Sequence, residues 1–464
     1  MALEGFRQPI ETVQFHLPRN SNIRDAPWMR FYAVLYAADL EDDAKAFWRD
    51  TGSGISSRHA EYCHEWLDYL QSSSANPSFQ IQPIKQNISD LEASFASLPC
   101  VIKEREAVKA FIAELATSEQ PGQSTVTSND VFLYPGGMCA INAVSRALIT
   151  LAPQPETVIY GWVYCETLTL IKRGNWKTSV HYARGSEAEL DELESTLSGG
   201  KHIQALFCDA PGNPQLATPN FPRIRALADQ YDFIVACDET VGTFVNIDLL
   251  PYVDILMTSL TKSFSGSADV MGGSADFVKR VQSMNRTAVS VAKLLEAHPL
   301  VKQLNYPLLG PTRSNYDHCR RQNGGYGHLM SIVFDDIQIA ECFYDALEIF
   351  RGTSFGNNFS VAVPFVQLAL FEKQDWAESY GLSRHVIRLS VGLENEYQLL
   401  KTIRKALAKV QGLRALYAPN KADTSHTLLA VEALADQVTA VGVEFSVKEG
   451  GVLANMGLLD VTSN

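Results

Sequence analysis

Several signatures are missing from this 464-residue chain, and each absence closes a class of function. No apolar run approaches the roughly 20 residues that a membrane helix needs, so no span is expected. Positive charge is in deficit: 39 Lys and Arg against 52 Asp and Glu leave a formal net charge of -13. That is the wrong footprint for nucleic acid, although one anion in a local site stays open. The eight cysteines form no C-x-x-C pair, which favours free thiols in a reducing compartment. H-E-x-x-H, G-x-S-x-G and Walker A patterns are absent, as is any cluster with zinc-ligand spacing. No metal is expected. Met1 to Pro9 lacks an apolar signal core, so the expected location is cytoplasmic.

What is present is an ordinary globular balance, 46% hydrophobic and 20% charged, in a chain long enough for two or three domains. Residues 1–125 are mixed, with helical patches at Asp42 to Asp50 and His59 to Leu70, and read as an N-terminal arm. A polar stretch, Thr117 to Asp130, reads as a connector. From there to about 325, apolar runs alternate with amphipathic helices. Strands are expected at Thr157 to Trp162, Ile203 to Cys208, Phe233 to Cys237 and Asp254 to Thr258. Helices are expected at Ala140 to Leu151, Glu187 to Leu197 and Phe221 to Tyr231. Such alternation predicts a mainly parallel sheet covered on both faces, with ligands beyond the strand C-terminal ends. Residues 326–464 read as a smaller α+β C-terminal domain with a tail. Its strands fall at Ser331 to Phe334 and Val386 to Ser390, its helices at Asp336 to Phe350 and Glu396 to Val410. A further helical patch lies at Thr427 to Val438.

The most informative stretch is Thr258-Ser259-Leu260-Thr261-Lys262-Ser263-Phe264-Ser265-Gly266. A lysine delivered at the end of a buried strand and followed by a glycine turn suits a Schiff base with an aldehyde cofactor, because burial favours the neutral amine. The hydroxyls of Ser259 and Thr261, two apart, would share one side of an extended chain and could hold a phosphate. Asp238 ends its own strand, where alone it would read as a helix-capping or salt-bridged aspartate, but beside Lys262 its carboxylate could keep a pyridine nitrogen protonated. Together these residues point to pyridoxal 5′-phosphate (PLP).

Other positions carry rival readings. Tyr134-Pro135-Gly136-Gly137-Met138 opens a helix, where Gly137 and Met138 could offer backbone N–H groups to an anion; a Gly-Gly pair is also an ordinary turn. Tyr164 could stack on the cofactor ring, or be one of 17 unremarked tyrosines. Asn213 could reach the cofactor's phenolic oxygen, or serve only an Asn-Pro turn. Arg388, inside the apolar run Val386 to Gly392, needs an acid: a substrate carboxylate or an internal one. Arg58 on its own reads as a solvated charge. Cys139 and Cys165 read as small buried hydrophobes.

In this order the pieces resemble the cystathionine γ-synthase, or Cys/Met-metabolism, family of PLP enzymes over roughly residues 130–410. Tyr134 to Met138 looks like its phosphate-binding Ser-Gly-Met turn. Tyr164 falls at its ring-stacking tyrosine, Asn213-Pro214 at its Ser-Asn-Pro turn, and Asp238-Glu239-Thr240 at Asp-Asn-Thr. Ser259, Thr261 and Lys262 match Ser-x-Thr-Lys, and Asp269 to Gly273 matches the Asp-Val-x-Gly-Gly that follows. Ser354, in Thr353 to Gly356, is similar to the Ser-Leu-Gly segment near the substrate. Arg388 to Gly392 is the Arg-Leu-Ser-Val-Gly run whose arginine binds the α-carboxylate. Gly54 to His59 looks like the fungal form of the Tyr-x-Arg motif, with Ser56 at the tyrosine.

The resemblance implies a PLP-dependent transferase of fold type I. It implies γ-substitution on O-acetyl-L-homoserine or another O-acylated homoserine by a thiol, amine or carbon nucleophile. Lys262 would be the base and Tyr164 an auxiliary acid or base. Arg58 would reach the phosphate of a neighbouring subunit, so a homodimer or homotetramer is expected. The serine at position 56 and the fungal-type runs turn the expectation towards specialised metabolism. An α,γ- or α,β-lyase and a catalytically silent scaffold are the rivals.

Overall fold

Five short strands, the first four each followed by chain that returns to the same sheet, form the first of two main sheets. The computed structural model describes residues 11–16, 30–35, 38–52, 99–267 and 276–417. The expected features at Arg58, His59 to Leu70, Asp269 to Gly273 and Thr427 to Val438 lie outside the described residues.

At the front, β1 (Glu11–His16) and β2 (Arg30–Leu35) pair antiparallel. They are followed by α1 (Glu41–Thr51) and α2 (Pro99–Ala116). Next come α3 (Gly137–Thr150), β3 (Glu156–Tyr160), α4 (Cys165–Arg173), β4 (Thr178–Tyr182), α5 (Glu187–Ser198), β5 (Ala205–Asp209), α6 (Phe221–Tyr231), β6 (Ile234–Asp238) and β7 (Ile255–Met257). The first sheet runs β4-β3-β5-β6-β7, parallel throughout. Alternation along each strand sorts its side chains to two faces. Val158, Leu206 and Val235 meet Leu190 and Leu193 of α5 and Phe221 and Ile224 of α6. Ile159, Phe207 and Ala236 meet Ile141 of α3 and Leu168 and Ile171 of α4. Both faces are dry, which is why these strands read as apolar runs in the sequence. The edge strand β4, with Thr178 and Val180 exposed, lacked that run and was not expected.

The rest of the chain forms α7 (Phe277–Glu296), β8 (Val301–Asn305), α8 (Arg313–Cys319), β9 (Leu329–Phe334), α9 (Ile337–Ala346), β10 (Phe350–Arg351), β11 (Val361–Pro364), α10 (Phe365–Ala369), α11 (Gln374–Ser379), β12 (Ile387–Ser390) and α12 (Glu396–Tyr417). The second sheet runs β10-β11-β12-β9-β8 and is antiparallel except for β10 against β11. Val291 and Leu295 of α7, Phe343 of α9 and Ile403 and Leu407 of α12 cover one face. Because β8 belongs to this sheet, it gathers chain from well before residue 326. The helix expected from Asp336 to Phe350 stops at Ala346. Leu347 turns extended, which frees Phe350 to pair with Val361 at the sheet edge.

The polar connector 117–130 is fastened rather than loose. Ser118 Oγ and the Glu119 N–H both donate to Asp248 Oδ2, at 2.7 and 2.9 Å. The buried Arg321 caps the end of α2 through the carbonyls of Leu115, Ala116 and Thr117. Free carbonyls at a helix C-terminus attract a cation in this way.

Candidate active site

The C-terminal ends of β5, β6 and β7 place Asp209, Asp238 and the Ser259–Lys262 loop side by side. Asp238 Oδ1 accepts from the Thr240 N–H at 2.8 Å and from Thr240 Oγ1 at 2.5 Å. Thr240 Oγ1 in turn accepts from the Ser259 N–H at 2.7 Å. This chain of bonds ties two strand ends together and leaves Asp238 Oδ2 without a donor among the described residues. Burial pushes the Asp238 carboxyl up, against the pull of Thr240 and Lys262. A cation brought to Oδ2 would reverse that shift.

Lys262 lies 3.3 Å from Ser354 Oγ through its Nζ, and 5.0 Å above the Phe355 ring. Burial first, then the positive Arg388, lower its pKa to about 8, while Asp238 works the other way. The depressed pKa raises the neutral fraction near physiological pH well above that of an ordinary lysine, as a nucleophile or base needs. Its loop is coiled, not extended: Lys262 N–H bonds to Ser259 O, and Gly266 N–H to Lys262 O. The strand-alternation rule thus does not orient Ser259 and Thr261. Gly266 holds φ +74°, and a Cβ there would fall 2.3 Å from Arg280 Nη1. Arg280 donates to the carbonyls of Ser263 and Phe264 and to Asn358 Oδ1, bracing the loop. Nothing in its helical sequence context marked it.

Helix α3 begins at Gly137, three residues earlier than expected, so Gly137 and Met138 form its first turn. Its N-cap, Gly136, supplies no side-chain acceptor. By contrast Ser186, Asn220 and Asp336 cap α5, α6 and α9 with their side chains. The first N–H groups of α3 are thus open to an anion. A Cβ on Gly137 would stand 3.0 Å from Ser259 Cβ, so the bare backbone of α3 lies directly against the lysine loop. Gly52, the left-handed C-cap of α1, packs on the same turn, where Cys139 Sγ donates to its carbonyl at 2.8 Å.

Arg388 comes from β12 in the second sheet and is 3% exposed. It donates to Asn213 Oδ1 at 3.2 Å and to the carbonyls of Thr353 and Ser354. Phe355 and Phe365 flank it at 5.4 and 5.1 Å. No acid among the described residues pairs with it. Burial lowers its pKa to about 10, opposed by Tyr164 and Cys165 but by no carboxylate. A buried guanidinium in this state fits an incoming carboxylate. Asn213 meets Arg388 through its oxygen, which leaves its amide N–H₂ to donate elsewhere.

Tyr164 precedes α4, and its backbone N–H donates to Asp209 Oδ2 at 2.9 Å. The residue is 44% exposed, yet its surroundings raise its pKa, burial first and then the neighbouring Cys165 and Glu166. Cys165 is a thiol pushed up to about 11 by burial, which makes it a poor nucleophile. Cys139, Cys165, Cys208, Cys237, Cys319 and Cys342 are free thiols. Among the described residues no group of three or more His, Cys, Asp or Glu could hold a metal. Nor, among the described residues, is any helix long and apolar enough to cross a membrane.

Lys262, Asp238, Ser259, Gly137, Ser354, Arg388 and Asn213 are thus linked by direct contacts or by one intervening residue. Tyr164 joins through Asp209, and Met138 through the first turn of α3. Asp209 was missed, although it ends a strand just as Asp238 does. The arrangement fits PLP: an open helix N-terminus for phosphate, an acid with a vacant oxygen for pyridine nitrogen, and a half-buried amine for the aldehyde.

Comparison with known proteins agrees. The model of the Cys/Met metabolism PLP-dependent enzymes matches residues 123–279 and 276–408. The model of the fungal trans-sulfuration enzyme N-terminal domain matches residues 2–56. The chain is 39% identical over 443 residues to a cystathionine gamma-synthase-like protein, ankD, of Aspergillus thermomutatus, covering 87% of this chain and 78% of that one. It is 33% identical over 479 residues to a cystathionine gamma-synthase of Neurospora crassa, covering 81% and 77%. The solved cystathionine gamma synthase of Xanthomonas oryzae pv. oryzae in complex with cystathionine shares the fold. Its TM-score is 0.57 at 19% identity, over 72% of this chain and 90% of that one. The chain therefore belongs to the Cys/Met-metabolism family of PLP-dependent enzymes and carries the N-terminal domain of its fungal trans-sulfuration members.

Proposed function

We propose that the protein joins the γ-carbon of O-acetyl-L-homoserine to a second, nucleophilic substrate. The observation that carries this reading is the pair of basic groups in one site: a half-buried amine with a depressed pKa and a buried guanidinium with no acid partner among the described residues. Arg388 supports binding of one carboxylate, that of the amino acid, and an acetyl ester adds no second negative charge. Relatives named as cystathionine gamma-synthases or as like them support a bond made at the γ-carbon.

When bound, PLP supplies an aldehyde for the substrate amine and a ring that takes up electron density from the adjacent carbon. Arg388 holds the α-carboxylate, with Asn213 and the two carbonyls fixing the plane of the guanidinium. Lys262 Nζ removes the proton at Cα and later serves at Cβ, with Ser354 Oγ steering it. Asp238 keeps the proton on the pyridine nitrogen. The N–H groups of Gly137 and Met138, with the hydroxyls of Ser259 and Thr261, hold the phosphate. The Asn213 amide donates to the phenolic oxygen. Tyr164 stacks on the ring and serves the departing acetate as an auxiliary acid. Arg58 of a neighbouring subunit completes the phosphate site, which makes the working form a dimer or tetramer.

The test is incubation of the PLP-loaded protein with O-acetyl-L-homoserine and a panel of thiols, amines and ketoacids, with products read by mass. A new γ-substituted amino acid supports the proposal. Ketoacid and ammonia formed without a second substrate would replace it with an eliminating lyase. No turnover by a chain that binds no PLP would favour a scaffold.

A further inference from the structure

One carboxyl of the site is left without a task by the chemistry above. Asp209 ends β5 as Asp238 ends β6, and the two are register partners on adjacent parallel strands. Asp209 is 8% exposed. Its Oδ2 accepts the Tyr164 N–H, but its Oδ1 is sealed from solvent without a hydrogen-bond partner. The hydroxyl of Thr218, 2% exposed, is sealed and unpartnered as well. Asp209 and Thr218 line the same cavity, together with Gly161, Gly212 and Arg184. The room it leaves for the centre of a water molecule is about 10 Å³, enough for one. Asp209 and Thr218, on one small space, thus each carry a buried polar atom without a partner.

Two carboxylates on neighbouring strand ends cannot both be ionised in a dry site without further positive charge. The surroundings decide between them. Asp238 has two donors from Thr240 and faces Lys262. Asp209 has a single donor and the acid beside it. The other polar neighbours change little: Cys208 and Cys237 lie one residue back on the same strands. Arg184 spends its guanidinium on Ser379 O and the Tyr380 ring. Glu166, in the first turn of α4, adds negative charge.

We propose that Asp209 acts as a neutral carboxylic acid that positions Tyr164: Oδ2 holds the Tyr164 N–H, and Oδ1 carries a proton donated to a water shared with Thr218. In this state it fixes the entry to α4 without drawing positive charge away from Asp238. It is a positioning residue, since it acts on the cofactor only through Tyr164 and Asp238. The inference rests on the reading of those two residues as cofactor contacts.

The decisive measurement is the infrared difference spectrum of the full chain, parent against Asp209→Asn, with and without PLP. Loss of a protonated-carboxyl band in both conditions is expected. Loss of a carboxylate band instead would overturn the proposal. The band in the PLP-free chain is read independently of the cofactor roles, so its failure is distinct from theirs. In the PLP-loaded protein, Asp209→Asn should leave the pH midpoint of the cofactor's visible band in place. A displacement of about one unit would mean a lost charge, and would overturn neutrality. Asp209→Ala, which loses the acceptor, should weaken PLP retention about tenfold while Asn restores it. Equal loss in both variants would reject the positioning role. Should Asp209→Asn fail to fold, Thr218→Val replaces it. That variant should shift the protonated-carboxyl band, and an unshifted band would rule out the shared water.

Discussion

The two sheets contribute to one site in opposite ways. The parallel sheet delivers several groups from consecutive strand ends: Asp209, Asp238 and the Ser259–Lys262 loop, with the open N-terminus of α3 alongside. The largely antiparallel sheet delivers one guanidinium from the middle of β12 and the braced Thr353–Gly356 turn. In a parallel sheet all strands end on the same side, so polar groups gather there while the strands stay apolar. In an antiparallel sheet the ends alternate, and a polar group within a strand must be sheltered singly. Arg388 is sheltered by two aromatic rings and two carbonyls. The first arrangement is suited to a resident cofactor, the second to a transient substrate.

Substitutions can separate these contributions. The largest effect is expected at Lys262. Lys262→Ala should abolish borohydride-stable attachment of PLP, as peptide mapping would show. It should also lower turnover by at least about 10⁴-fold, since it removes both the covalent anchor and the base. Attachment at any other lysine would refute the assignment. Next comes Arg388. Arg388→Ala should raise KM for O-acetyl-L-homoserine roughly 100-fold, the cost of an unpaired buried carboxylate, yet leave the PLP absorption intact. If PLP retention falls as far as substrate affinity, the division of labour between the sheets is wrong. Gly137→Val is expected to do the reverse. Its side chain would press on Ser259 at a point where even a Cβ sits at 3.0 Å. PLP affinity should fall by about tenfold, with KM for the amino acid little changed in the loaded fraction.

The same contrast explains what could be read from the sequence. The parallel sheet was legible because both of its faces are dry. Ile203 to Cys208 and Phe233 to Cys237 lie within one or two residues of β5 and β6, and the strand ends pointed to Asp238 and Lys262. The edge strand β4 was invisible because only one of its five residues is buried. In the second sheet β8 has no fully buried residue and β10 is exposed throughout, so neither announced itself. Arg388 stood out as a charge in an apolar run, but its lack of an acid partner depends on elements far apart in sequence. Arg280 and Thr218 act only through such long-range packing, and no local pattern reveals them.

The smallest effect concerns stability and needs no substrate. Lys262 has a folded pKa of about 8 against an ordinary 10.5. Below pH 8 both folded and unfolded chains carry the proton, and the folded state bears the full cost of a half-buried charge. Between 8 and 10.5 the unfolded chain binds more protons, so stability rises with pH. Above 10.5 the difference has gone. Lys262→Met should therefore stabilise the PLP-free chain by about 2 kcal/mol at pH 7, a figure reduced for partial solvent screening. The gap between parent and variant should close as pH approaches 10.5. Urea unfolding across that range measures it. A gap that does not change with pH would mean that the amine is not strained by burial and that packing alone favours methionine. The parallel sheet would then owe its reactive lysine to cofactor binding and not to the protein's own interior.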